Sequence, residues 1–195
     1  DVIFVNPDGM APPFEEVHQP LLDRWSVFEQ PMYSDMSDSS FKLEVNGNWK
    51  LAVENYLESY HLPWVHPGLN SYSKLEDHEN IVKYGHYAGQ ISYKYIPQYT
   101  TGKQFTNFKN LGPEWDTKGE YIVLFPNLIL GVQKDHIFNL IIEPLAPNRI
   151  REHIEIYYSD PSLLADEYKE TRQENAKLWK TVFEEDIFVV EGMQK

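Results

Sequence analysis

The sequence predicts an α+β fold, an antiparallel sheet packed against one long C-terminal helix. Three observations carry this. Residues 119–160 hold apolar runs of strand length, "GEYIVLF", "NLILGVQKDHIFNLIIEPL" and "IREHIEIYYSD", separated by turn-type residues. After Pro161 no proline occurs and Gly192 is the one glycine, so a helix of up to about 30 residues can run to the C-terminus. The strands follow one another before that helix instead of alternating with helices, which favours α+β over a parallel α/β sheet.

Each element has its own reason. "DVIFVN" reads as a short opening strand and "PDGMAPPF" as a turn-rich linker. "FEEVHQPLLDRW" reads as a short helix interrupted near Pro20, and "FKLEVNGNWK" as a strand ending at the Asn46-Gly47 turn. Asn48 is placed to cap a helix running to about His61. Pro63 then stops it, because a proline nitrogen has no hydrogen to donate. Residues 66–118 are polar, with scattered Gly and Tyr, and read as long loops plus strands around "QISYKYI". The segment "NLILGVQKDHIFNLIIEPL", residues 127–145, is long enough for two strands and reads as such. Asp160 and Pro161 are a good cap and first position for the last helix.

Composition narrows the function. At 195 residues the chain is one domain, 1–195, with room for a substantial core. A net charge of −13 argues against a nucleic-acid surface. No apolar run approaches the roughly 20 residues that span a bilayer, and no basic-apolar leader opens the chain, so a cytoplasmic location is expected. The absence of cysteine excludes disulfides, thiolate zinc sites, cysteine nucleophiles and a self-ligated iron–sulfur cluster. Aromatics at 14% suit a cavity with flat walls.

The segment "NWKLAVENYLESYHLPWVHPGL" sets acids and histidines among apolar residues. On one continuous helix, with Glu54 at zero, Leu51 falls near about +60°, Leu57 about −60°, Glu58 about +40° and His61 about −20°. Acids sharing a stripe with core leucines need a partner, since a buried unpaired carboxylate costs several kcal/mol. His66, beyond Pro63, can be turned back towards His61. In the last helix Trp179, Val182, Phe183, Val190 and Met193 mark a buried face. Asp186 lies about −20° from Trp179 on it, while Glu184 and Glu185 lie off it. His61, His66 and Asp186 together fit a two-histidine, one-carboxylate metal site. A hydrogen-bonded core reading of each residue remains open at this level.

The segment 48–69 resembles the iron-binding segment of Rieske non-heme iron oxygenase α subunits, and "FEEDIFVVEGMQK" resembles that family's carboxylate-ligand segment. "DVIFVNPDG" resembles the strand leaving its cluster domain. The resemblance implies a helix-grip fold, a curved antiparallel sheet enclosing a cavity over a long C-terminal helix. It implies a mononuclear Fe(II) held by His61, His66 and Asp186. Glu58 matches the acid that links an iron-ligand histidine to the cluster of a neighbouring subunit, and Asn55 matches a position near the iron. It also implies a homotrimer, electrons from a [2Fe–2S] cluster in a Rieske domain, NAD(P)H acting through a reductase, and O2-dependent hydroxylation of a small substrate. The family's cluster needs cysteines, so the Rieske domain is expected to lie outside this chain. A glutamate at position 58 is closer to the branch acting on quaternary ammonium compounds; an aromatic substrate is the other option. Two rival readings are a zinc hydrolase using the same three residues and a metal-free ligand-binding module. His18, His78, His86, His136 and His153 receive no role and are expected at surface or loop positions.

Overall fold

The computed structural model describes residues 2–97 and 99–194. Asp1 and Lys195, the outer ends of the predicted first strand and last helix, lie outside them. Seven strands among the described residues form one antiparallel sheet: β1 Ser40–Val45, β2 His78–Lys83, β3 Tyr87–Ser92, β4 Gly119–Leu124, β5 Leu128–Val132, β6 His136–Ala146 and β7 Arg149–Tyr158. Their order is β1-β7-β6-β5-β4-β3-β2. Strands 2 to 7 are therefore a meander, and β1 closes the other edge against β7. The helices are α1 Phe14–Arg24, α2 Met36–Ser39, α3 Trp49–Leu57, α4 Leu62–Val65, α5 Pro67–Asn70 and α6 Lys169–Met193.

The sheet's inner face is read directly from alternation. In β7, Ile150, Glu152, Ile154, Ile156 and Tyr158 are all buried, while the residues between them are partly exposed. This face meets α6, whose buried residues Thr171, Asn175, Trp179, Phe183 and Val190 recur every four or seven positions. Burying an aromatic of roughly 150–250 Å² stabilises by about 4–6 kcal/mol at most, so Trp179 and Phe183 dominate this seam. Gly131, opposite Phe138 on β6, lets that ring lie flat over β5; a Cβ there would meet the ring at 2.3 Å. Arg172 fixes the start of α6. Its guanidinium, 1% exposed, donates to the Leu163 and Ala165 carbonyls and to Asp38.

The sheet, the two hairpins around β5 and the terminal helix follow the sequence reading. Several details do not. Among the described residues of "DVIFVN", 2–6, no strand forms, and Ile3 and Val5 are more than 80% exposed. Pro20 sits inside a continuous α1, which goes on through it to Arg24 without the backbone bond that a proline nitrogen cannot donate. The cap at Asp160 opens a short 3₁₀ turn, and α6 starts only at Lys169, giving 25 helical residues. Met193, expected on the buried face, is 46% exposed.

Candidate metal centre

Asn48 caps α3 as expected, its side chain accepting the Lys50 N–H at 3.0 Å. The helix stops at Leu57, one turn before His61. Glu58 is extended (φ −129°, ψ 161°), and its carboxylate accepts the Tyr60 backbone N–H and the His61 Nδ1–H, the latter at 2.6 Å. These side-chain bonds compete with the next helical turn. Gln90 on β3 completes the stop by donating to the Tyr56 and Glu58 carbonyls, both at 3.1 Å. The continuous-helix geometry is therefore corrected: Glu54 is exposed, and the buried residues of α3 are Ala52, Val53 and Asn55. Pro63 does not stop the helix; it lies in the first turn of α4. His61 immediately precedes α4, and His66 is the joint between α4 and α5.

One ligand atom each from His61, His66 and Asp186 lies within 4.8 Å of the others. His66 Nε2 is 3.0 Å and His61 Nε2 3.5 Å from the same Asp186 Oδ1. Donors about 2.1 Å from an ion and at right angles are about 3.0 Å apart, so these spacings suit three neighbouring corners of one coordination sphere. The imidazoles are oriented from behind. His61 Nδ1 is tied to Glu58, and His66 Nδ1 to Glu185 Oε2 at 2.8 Å. A carboxylate only accepts, so each Nδ1 carries the proton and each Nε2 is left with its lone pair towards Asp186. Asn55, 7% exposed, donates to Asp186 Oδ1 at 2.8 Å and holds that carboxylate in place. Donor chemistry, spacing and orientation all fit a divalent transition metal.

Electrostatics agree with a site that is costly without a cation. Burial alone would push His66 down, but the carboxylates of Asp186 and Glu185 beside it favour its charged form, outweigh this and leave it raised. Glu152, on the inner face of β7, is pushed up to about 8, first by burial and then by the Asp186 charge. The metal donors border a pocket of about 50 Å³ walled by Leu62, Leu69, Tyr121, Trp179 and Phe183.

Three functional neighbours escape the sequence reading. Helical spacing puts Glu185 off the buried face, yet it reaches His66 from that face's edge. His78, expected in a loop or at the surface, lies on β2 beside the metal pocket, bonded to Gln90 and Ser73. His136, also expected there, is fully buried on β6, between Asp135 and Trp179. No local signal marks Glu185 or Gln90, because their partners are 119 and about 30 positions away in sequence. His18 and His86 lie at the α1 side of the fold, and His153 pairs with Glu143 on a partly exposed strand position.

A family described as "Ring hydroxylating alpha subunit (catalytic domain)" matches residues 22–195. The chain belongs to this ring-hydroxylating α-subunit family. Among relatives, the carnitine monooxygenase oxygenase subunit of Acinetobacter pittii (strain PHEA-2) is 24% identical over 197 residues, covering 99% of this chain and 49% of that protein. A putrescine 2-hydroxylase of Ralstonia nicotianae (strain ATCC BAA-1114 / GMI1000) is 24% identical over 156 residues, covering 71% of this chain and 40% of that one. A crystal structure of the quaternary ammonium Rieske monooxygenase CntA shares the fold, with a TM-score of 0.71 at 19% identity, over 97% of this chain and 47% of the other. The ring-hydroxylating catalytic domain seen here thus spans about half the length of the relatives it matches. Among the described residues, no helix is long and apolar enough to cross a membrane.

Proposed function

We propose that this domain is the oxygen-activating part of a Rieske-type hydroxylase acting on a small organic cation, with His61, His66 and Asp186 holding one Fe(II). The observation that carries the proposal is the pair of imidazoles, each backed by a carboxylate at Nδ1 and each presenting Nε2 to the same Asp186 oxygen. Ferrous iron bound there supplies O2 activation, and three protein donors leave neighbouring positions for small ligands.

The surrounding residues have separate tasks. Asn55 orients Asp186, and Glu185 orients His66. Glu58 orients His61 while remaining 36% exposed in its side chain, so one carboxylate both touches a ligand histidine and faces outwards. Tyr60 and Trp64, about three-quarters exposed, flank it. This supports docking of a neighbouring subunit's [2Fe–2S] Rieske domain at that spot, in a homotrimer fed by NAD(P)H through a reductase. The apolar walls of the pocket exclude water and hold the alkyl part of a substrate. The two relatives described above act, by their names, on carnitine, a quaternary ammonium compound, and putrescine, a primary diamine, which favours a small organic cation over an arene.

The test uses the full-length protein with its reductase. Substrate-dependent O2 uptake is expected with small amines, and Glu58→Gln is expected to keep its iron while losing turnover at least about 10-fold, the scale of an oriented outer hydrogen bond. Zinc instead of iron in protein purified without added metal, or normal turnover in Glu58→Gln, would overturn the respective part.

A further inference from the structure

The β2–β3 hairpin carries a run of buried polar groups beside the metal pocket. Its register pairs His78 with Ser92 and Asn80 with Gln90, so His78, Gln90 and Ser92 share one face of the hairpin. Gln90 and Ser92 are 6% and 0% exposed, and Ser73, from the loop after α5, is 1% exposed. Such groups sit in a core only where hydrogen bonds satisfy them, and here the bonds join into one chain.

Each bond in the chain has one workable direction. The Tyr56 and Glu58 carbonyls only accept. The Gln90 carboxamide therefore turns its nitrogen to them and gives one N–H to each, both at 3.1 Å. Its oxygen then faces His78 Nδ1 at 2.8 Å, so that nitrogen carries a proton. Burial lowers the His78 pKa, against the opposing pull of Gln90 and Asp77, and the ring is neutral. Its bare Nε2 accepts from the Ser73 hydroxyl at 2.9 Å, and Ser73 accepts in turn from Ser92 at 2.6 Å.

The chain ends on the residue that orients His61. Glu58 is extended; its carbonyl is tied to Gln90, and its carboxylate accepts the Tyr60 N–H and the His61 Nδ1–H. A carboxamide can turn over by half a rotation. Turned over, Gln90 would set its oxygen against two carbonyl oxygens and let go of Glu58. The His78 Nδ1–H opposes this, because a reversed amide would meet it donor to donor.

We propose that His78 is a positioning residue, which through Gln90 holds Glu58 where its carboxylate can take the His61 Nδ1–H. Ser73 and Ser92 fix the His78 ring from the other side. The effect on turnover rests on the hydroxylase reading, in which Glu58 is needed for catalysis; the effect on geometry does not.

The first test follows the low-field imidazole Nδ1–H resonances of the intact protein, loaded with zinc as a diamagnetic metal. His61, His66 and His136 each have Nδ1 held by a carboxylate and serve as three reporters. His78→Leu is expected to shift or broaden the His61 resonance while those of His66 and His136 stay in place. His78→Asn, which keeps an N–H donor near the place of Nδ1, is expected to restore it. An unchanged His61 resonance in His78→Leu, or a loss in His78→Asn equal to that in His78→Leu, would overturn the proposal. Should His78→Leu lose all three resonances by unfolding, Gln90→Met is read in its place, with the same expectation for His61 and the same overturning result.

The second test measures turnover of the full-length protein with its reductase. His78→Leu is expected to lower kcat at least about 10-fold, the scale of an oriented outer hydrogen bond, with little change in KM. Combined with Glu58→Gln it should be no slower than Glu58→Gln alone, since groups acting through one another do not add. Fully additive losses, or a rise in KM with kcat unchanged, would overturn the positioning role. A displaced His61 resonance with normal turnover would sink the role of Glu58 in the hydroxylase reading and leave the geometry standing; lost turnover with all three resonances in place would sink the positioning claim alone.

Discussion

Two parts of the molecule use the same unit, a histidine with a carboxylate on Nδ1, and reach opposite results. At the metal centre, Glu58 and Glu185 hold His61 and His66, and each Nε2 faces Asp186. On β6, Asp135 holds His136 in the same way, but the Trp179 N–H closes its Nε2. One arrangement leaves lone pairs converging where a cation is wanted. The other consumes the lone pair in a hydrogen bond and becomes part of the core. The carboxylate sets the tautomer in both; what stands in front of Nε2 decides the role.

The sharpest way to break this contrast is to remove a metal donor. Alanine at His66 or Asp186 should lower Fe(II) affinity by about 1000-fold or more, above the 10–100-fold attributed to outer partners. Anaerobic metal titration measures it, and retention of tight binding would remove that residue from the ligand set. His136→Ala should leave metal affinity within a few-fold in protein that remains folded. It should cost about 3–5 kcal/mol of stability, because it strands Asp135 and the Trp179 N–H in the core; a denaturant titration reads this.

Glu185→Gln should be milder. The amide can still accept from His66, with less charge to make the ring basic, so metal affinity should fall by about 10-fold with little change in stability. The smallest effect concerns Glu152, a buried carboxylate with no imidazole at all. Its folded pKa is raised to about 8, so the folded state holds a proton that the unfolded state releases near its ordinary value. The stability it contributes is full at low pH and is lost as pH rises towards 8. Thermal unfolding of metal-free protein should show Tm falling between about pH 5 and 8, and Glu152→Gln should flatten that slope.

Much of this was legible one residue at a time. The apolar runs of strand length in 119–158, the Asn48 cap and the apolar stripe of the last helix are local patterns, set by neighbours within a turn or a pleat. Asp186 stood out because a lone acid interrupted that stripe. The partners of these residues were not legible. Glu185 looks like a surface acid until α4 and the His66 that ends it are folded against α6, and Gln90 ends α3 from a strand 32 residues beyond Glu58. The end of α3 itself is misread from sequence, since propensity favours continuing through Glu58 and only side-chain bonds from outside the helix stop it.

The sequence by itself determined the element types, the absence of thiolate chemistry and the residue types that could grip a metal. All of these depend on local periodicity or on composition. Tertiary structure alone decided which nitrogen of each histidine is free and which carboxylates remain without a counter-charge. Those properties depend on what packs in front of a side chain, and in this fold that neighbour comes from a distant strand or helix.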